Sequence, residues 1–407
     1  MLEQSPVEKR KPSIVFTSSG APFGVTELWF QAEVRELVKS FDVIIAPTWP
    51  RGDRSPWAGR TLTSSGYPPV APLKTLRALV SSRELRSILW GTRDTANLRT
   101  RGKSVLSFFV ALQWAFLLES LDLEVCHVHA TTVAAPATGA AVLAIRLGIP
   151  SSATAHRGDI VKRSPERSIA RLDLVRAISE KAKEMLASEG IASSVLRFGA
   201  LDEVKSASVA TPSATLRGVA IGHLSVIKGH TRALKMARKA IDDGVDLHLD
   251  IYGNGPLEDD LRREIAELDL TEHVALCGFL PHDDLLAEMG SGRWNLLIHP
   301  SIEEGSTHEG IPVCILEAAA NGIPVVASRS GSIPEFIVNE HNGLLFDAKN
   351  AERAVVEGAR ALIEIAGDLD LQVRLATNGL ASAQDYVSAQ TIAAMQTALS
   401  CSMPLAQ

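Results

Sequence analysis

Short apolar runs bounded by turn residues alternate along this chain with longer stretches whose apolar positions recur at helical spacing. In the first half the pattern predicts a strand at 14–17, a loop holding Gly20, Pro22 and Gly24, a helix from about Glu27 to Lys39, and a strand at 42–46. A Gly-, Pro-, Ser- and Trp-rich stretch, 47–72, then reads as a long irregular connection of the kind that builds binding surfaces. A strand is predicted over 125–129, an alanine-rich helix over 134–147 and a strand over 150–155, which leaves His156 just past a strand end.

The second half alternates more clearly. The spacing predicts strand 218–224, helix 231–243, strand 247–252, helix 257–268 and strand 274–277. Such alternation implies a parallel sheet covered by helices through right-handed crossovers, an α/β class. The small-residue, polar stretch Lys205 to Thr215 is the most linker-like segment. It divides the chain into an N-terminal Rossmann-like domain, 1–207, and a C-terminal one, 208–385. A last helix, 386–407, is expected to return to the first.

At 407 residues, with 46% hydrophobic and 22% charged, the chain is too long for one ordinary core and too apolar for disorder. Two domains suggest a cleft between them. The first residues are polar and mixed in charge with no signal-like apolar stretch, so a cytoplasmic location is expected. The most apolar span, 105–118, is interrupted by Gln113 and stops at Glu119, short of the roughly 20 residues a membrane crossing needs, and reads as a buried helix. Cys126, Cys277, Cys314 and Cys401 show no metal or redox spacing, so reduced thiols and no disulfide are expected.

Charge changes the picture. Residues 1–207 carry 27 Lys and Arg against 20 Asp and Glu, the remainder 14 against 27, inside a net charge of -6. Arg77, Arg83, Arg86, Arg93, Arg99 and Arg101 make a basic stretch, either a docking surface for an acidic acceptor or an anionic membrane face, or charge scattered over a solvated surface. No nucleic-acid partner is expected.

The most informative segment is 294–328, WNLLIHPSIEEGSTHEGIPVCILEAAANGIPVVAS. It predicts a buried strand at 296–299, a polar loop at 301–310, a helix with Pro312 in its first turn and Gly322 as its cap, and a strand at 324–327. Ligands of open α/β sheets sit past the strands' carboxyl ends, and a helix N-terminus favours phosphate, so Glu309, Gly310 and Ile311 should face an anion. Glu309 and Glu317 approach one cleft from different depths, and two carboxylates beside a phosphate suit hydroxyl donors such as sugars and riboses. Taken alone, they read equally as a loop charge complementing the helix dipole and a solvated helix carboxylate. A second turn, AIGHLSVIKGH at 220–230, ends a strand and enters a helix, with Gly222 and Gly229 permitting close backbone approach and Lys228 able to meet a diphosphate.

Together these residues resemble glycosyltransferase family 4. Gly222, Leu224, Lys228 and Gly229 match its first donor-domain loop. Glu309 and Glu317, then Gly322 and the 324–327 strand, match its Glu-x7-Glu signature, and Gly331, Ile333, Pro334, Glu335 and the NGLL at 342–345 continue it. Glu-Gly-Ile-Pro at 309–312 is most similar to members that build exopolysaccharides of the colanic acid type, with looser support from Thr26-Glu27 and from Thr154-Ala155-His156 followed by Asp159.

The resemblance implies a GT-B fold, two Rossmann-like parallel-sheet domains facing across a cleft, and a retaining transfer from a nucleotide diphosphate sugar, UDP- or GDP-linked, needing no cofactor and no metal. The acceptor would be a sugar or a lipid-linked oligosaccharide, with peripheral association at the inner membrane face. It implies that Lys228 binds the diphosphate and Glu309 holds the sugar. Glu317 would take ribose hydroxyls, with backbone at Gly310 and Ile311 on the phosphates, Gly278 and Phe279 at the base edge, His156 near the transferred sugar, and Gly24 approaching the phosphates. Two residues depart from the family: His223 stands where it has arginine, losing a bidentate phosphate clamp, and its first-loop glycine pair is absent. A disaccharide synthase or phosphorylase with a soluble acceptor, and a non-catalytic nucleotide-sugar-binding protein, remain as alternatives.

Overall fold

The computed structural model describes residues 11–23, 31–54, 59–94, 97–121, 123–156, 160, 167–197, 199, 201, 204, 209–304 and 309–398. Gly24, Thr26, Glu27, Asp159 and His308 lie outside the described residues. The chain divides into two compact units, residues 1–199 with 388–407, and residues 200–387. The division falls somewhat before the polar stretch from which a boundary at 207 was expected.

The first unit holds a parallel sheet of six strands, β1 (Ser13–Ser18), β2 (Asp42–Pro47), β3 (Val125–Ala130), β4 (Ser151–Ala155), β5 (Leu174–Ala177) and β6 (Ser194–Val195), in the order β2-β1-β3-β4-β5-β6. Its helices are α1 (Gln31–Leu37), α2 (Pro72–Ser81), α3 (Arg83–Gly91), α4 (Leu98–Glu119), α5 (Ala135–Leu147) and α6 (Glu180–Ser188). The helix expected over 105–118 is longer than the sequence suggested. It runs 22 residues because Asn97 caps it, accepting a hydrogen bond from the Thr100 amide, and its first turns are polar. By length and composition it could cross a membrane, but 56% of its most apolar window is buried. Phe108, Leu112, Trp114 and Ala115 sit in the unit's core. α5 lies close against it because its contact face is small: Ala137, Ala140 and Ala141 are buried, and a Cβ on Gly139 would stand 3.0 Å from Ser107 Oγ.

The second unit holds β7 (Leu216–Ile221), β8 (Leu247–Tyr252), β9 (Val274–Gly278), β10 (Leu296–His299), β11 (Val325–Ser328) and β12 (Leu344–Phe346), all parallel, in the order β12-β11-β10-β7-β8-β9. Its helices are α7 (His230–Asp242), α8 (Glu258–Glu267), α9 (His282–Gly290), α10 (Val313–Ala320), α11 (Ile333–Phe336), α12 (Ala351–Gly367) and α13 (Leu369–Ala383). α7 buries Ala233, Leu234, Met236, Ala237 and Ala240, an apolar stripe at helical spacing. Between β7 and β10 the strand order reverses, so β7, β8 and β9 run one way from the centre and β10, β11 and β12 the other. Open α/β sheets bind their ligands past the strands' carboxyl ends at such a switch point, and the segments after β7 and β10 touch there, the Ile302 amide donating to the Ile227 carbonyl at 2.8 Å. The last helix, α14 (Ser388–Ala398), belongs to the first unit, where Ile392 buries with Val34 and Leu37 of α1.

Candidate functional site

The turn after β7 is shaped by close backbone approach. The Gly222 amide donates to the Tyr252 carbonyl at 3.0 Å and the Leu224 amide to the Asn254 carbonyl at 2.9 Å, joining the loops after β7 and β8. A Cβ on Gly253 would lie 1.9 Å from the Gly222 carbonyl oxygen, so no larger residue fits. Gly229 precedes α7 at φ +69, and a Cβ there would meet the Pro300 carbonyl oxygen at 2.0 Å. That glycine brings the β7 turn against the end of β10, and Lys228 comes with it.

From the β10 side, Glu309 meets this lysine, with Lys228 Nζ 2.9 Å from Glu309 Oε1. The Glu309 backbone is held at both ends: its amide donates to Ser330 Oγ at 3.2 Å, and its carbonyl accepts from the Ser332 amide at 3.2 Å. Gly310 and Ile311 follow, half-buried, and lead into α10. Pro312 is that helix's N-cap rather than a first-turn residue, and Gly322 follows the helix end in the left-handed conformation, as a terminating glycine does. Glu317 lies inside α10, only 4% exposed, and its Oε1 is 2.5 Å from Nε2 of His282 at the start of α9. The two glutamates therefore have separate partners, Lys228 for one and His282 for the other.

Two buried imidazoles near Lys228, those of His299 and His230, are held neutral. Burial, and then the Lys228 charge, push His299 down to about 3. Burial likewise pushes His230 down to about 4. The Cys314 thiol, 3.7 Å from His299 Nδ1, is pushed up to about 12 by burial, with Glu317 adding to it. Lys228 is thus flanked by two neutral imidazoles and paired with the Glu309 carboxylate.

Other expected site residues fall as follows. Gly278 ends β9, and its carbonyl accepts from the Gly253 amide at 2.8 Å. Phe279 next to it is 71% exposed. His223 is exposed, and its carbonyl accepts from the Ser225 amide at 2.7 Å. Glu303 is structural, accepting from the Gly331 amide at 2.9 Å. Sequence reasoning missed His282, which sits in an unremarkable LPHDD stretch, and left His299 unassigned although it lines the turn beside Lys228.

His156 belongs to the other unit, at the end of β4. Burial and then the charge of Arg176 push it down to about 3, so its imidazole is neutral. Below it runs a buried polar row that the sequence did not announce. His129 bonds Ser152 Oγ at 2.6 Å and Thr154 Oγ1 at 2.8 Å, and Arg176 of β5 pairs with Glu33 of α1 at 2.6 Å. Arg176 is also tied to the Leu196 carbonyl at 2.7 Å.

Comparison with known proteins adds to this geometry. The family described as "Glycosyl transferases group 1" matches residues 207–380. A putative colanic acid biosynthesis glycosyltransferase of Escherichia coli is 31% identical over 160 residues, which cover 39% of this chain and 39% of that protein. The chain thus matches about two fifths of that relative's length. Among solved structures, a lipopolysaccharide outer core galactosyltransferase superposes with a TM-score of 0.65 at 15% identity, covering 95% of this chain and 99% of that one. The HepE protein of Anabaena in complex with UDP does so with 0.62 at 16%, covering 95% and 99%. These likenesses, with the two six-stranded parallel sheets, establish the two-domain Rossmann-like α/β architecture of the GT-B class.

Proposed function

We propose, on the premise that residues 207–380 are a domain of the glycosyl transferases group 1 family, that this protein is a glycosyltransferase of polysaccharide or glycoconjugate biosynthesis acting in the cytoplasm. It takes its sugar from a nucleotide diphosphate donor and transfers it to an acceptor hydroxyl with retention at the anomeric carbon. The observation that carries this reading is the Lys228–Glu309 pair, 2.9 Å apart at the switch point of the second sheet, where open α/β sheets bind their ligands.

In this reading the donor's diphosphate takes Lys228 as its counter-charge, beside the backbone that leads into α10. As the bond from the anomeric carbon to the phosphate oxygen breaks, negative charge grows on that oxygen, and a preorganised cation gains most there. Glu309 accepts hydroxyl hydrogens of the transferred sugar and faces the positive charge developing at the anomeric carbon. Glu317, oriented by His282, accepts the ribose hydroxyls, and the exposed Phe279 ring stacks at the base edge. The acceptor oxygen forms its bond to the anomeric carbon on the face the diphosphate leaves, and its proton passes to the leaving phosphate oxygen. The family resemblance alone assigns His156 to the sugar and Gly24 to the phosphates. Lys228 supplies the charge, so the reading needs no metal ion and no cofactor.

The donor nucleotide is UDP or GDP; the Anabaena neighbour was solved with UDP. The acceptor is a sugar or lipid-linked oligosaccharide, in line with the colanic acid relative. Calorimetric titration with UDP, GDP and ADP tests the donor site. Saturable binding of one nucleotide, weakened in both Lys228→Ala and Glu317→Ala, is the expected result. Folded protein that binds none of the three would refute the assignment and favour a scaffold role.

A further inference from the structure

A cavity of about 440 Å³ opens in the second unit where α7 and α12 begin, a size that accepts small molecules. It is lined by Thr231, Arg232, Lys235, Ile302, Glu352 and Val355. The Ile302 amide donates at 2.8 Å to the carbonyl of Ile227, the residue before Lys228. The cavity therefore lies beside the Lys228 turn, and neither Lys228 nor Glu309 lines it.

Arg232 is only 6% exposed, and among the described residues its guanidinium has no ion pair. Its Nη1 donates to the Ser301 carbonyl at 3.2 Å and the Ala348 carbonyl at 3.1 Å, which staples the end of β10 to the segment after β12. Asp347 favours its charge, but that carboxylate is taken up by the Lys349 and Asn350 amides at 2.7 and 2.9 Å and by Arg353 at 3.6 Å. An arginine has five N–H donors and a buried charge is costly unless paired, so Nε and Nη2 call for an acceptor from the cavity side.

Other donors converge on the same place. Thr231 lies in the first turn of α7, and Glu352 and Ala351, another lining residue, in that of α12, where backbone N–H groups have no acceptor within the helix. Asn350 caps α12 by accepting from the Arg353 amide, which leaves the amides of Ala351 and Glu352 to another acceptor. Lys235 adds a cation, loosely paired with Glu264 at 3.7 Å. Glu352 is the one acidic lining residue, and it is exposed. Two helix starts, a guanidinium and an ammonium favour an anion, while Ile302, Ala351 and Val355 favour an apolar group beside it.

We propose that this cavity is a second ligand site, for a small molecule that carries an anionic head on an apolar body, its head on Arg232 and the helix starts and its body against Ile302 and Val355. The inference goes beyond the transfer reaction and does not depend on it.

Calorimetric titration of the full chain with octanoate and with octyl phosphate tests it, octanol and acetate being the controls. At least one of the two amphiphilic anions should bind saturably, about tenfold or more tighter than octanol, the scale of hydrogen bonds to a charged group. The tighter of the two identifies the head as carboxylate or phosphate, and acetate should bind far more weakly. Lys235→Glu, at an exposed position, should weaken binding about fivefold, and Val355→Asp about tenfold. Arg232→Met should abolish it, and the other two variants decide the matter if that protein does not fold. Lys228→Ala should bind the anion as wild type does. The inference is overturned if neither anion binds or if octanol binds as tightly. It is equally overturned if Lys228→Ala abolishes binding while Lys235→Glu and Val355→Asp do not, which would put the anion on Lys228. Nucleotide titration of Lys235→Glu separates the two proposals, since that variant should bind nucleotide as wild type does.

Discussion

Lys228 and Glu309 reach one another from the segments that follow two neighbouring parallel strands, β7 and β10, at the middle of the second sheet, and their charged groups stand 2.9 Å apart. With side chains 24% and 14% exposed, the pair is partly shielded from water. Lys228→Ala should therefore lower transfer by about a hundred- to a thousandfold, the scale of losing one preorganised charge at a leaving group. Glu309→Gln should slow turnover more than it weakens nucleotide binding. Steady-state kinetics beside calorimetry checks both, and equal losses in binding and turnover would contradict the assigned roles.

His282 holds a nearly buried carboxylate through a 2.5 Å contact with Glu317. Removing it should leave Glu317 badly aimed at the ribose. His282→Ala is expected to weaken nucleotide binding by about 1.5–3 kcal/mol, the value of a hydrogen bond to a charged group. His282→Gln, which keeps a donor, should recover part of that loss in the same titration.

Gly229 lets the β7 turn touch the Pro300 carbonyl at the end of β10. Gly229→Ala places a Cβ 2.0 Å from that oxygen and demands φ +69 of a residue that resists it. The variant should fold with lowered stability and lose nucleotide affinity. Unchanged affinity in a folded Gly229→Ala protein would show that the approach of the two loops does not matter to the site.

His299 and His230 are kept neutral, at about 3 and about 4, against an ordinary value of 6.5. Below pH 6.5 the unfolded chain binds protons at these residues and the folded one does not, so stability falls as pH falls from about 6.5 toward 4. Each contributes up to about 1.4 kcal/mol per pH unit in that window. Urea unfolding at pH 7 and pH 5 should show the loss, and His299→Phe should reduce the difference.

The Glu33–Arg176 pair is 3% and 1% exposed. Arg176→Met strands the carboxylate and should cost about 3–5 kcal/mol, because an unpaired buried charge is left behind. Glu33→Gln combined with Arg176→Met should regain much of it. Thermal unfolding of the three proteins is the measurement, and equal melting of single and double variants would show that the pair is not coupled.

The second sheet was legible because its signals agree. β8 and β10 lie where the apolar runs end, at Tyr252 and His299, and α7 follows its stripe to within a residue. The first unit was harder. β5 carries Arg176 in its middle, which breaks the apolar run, and β6 is two residues long. α2 and α3 escaped notice because both are short and α2 turns Leu73, Leu76 and Val80 outward, while α3 buries only Leu85 and Ile88 fully.

The order of residues along the chain determined what depends on near neighbours: alternating strands and helices, the glycines of tight turns, the helix end at Gly322, and the residue types of the donor-site motif. Tertiary structure alone decided what depends on residues far apart in sequence. Lys228 meets Glu309, His282 meets Glu317, and Glu33 meets Arg176 only because strand order and crossovers carry them together. Local periodicity reports which face of an element is apolar. It holds no information on which distant charge will satisfy a buried one, and that pairing sets the chemistry of the site.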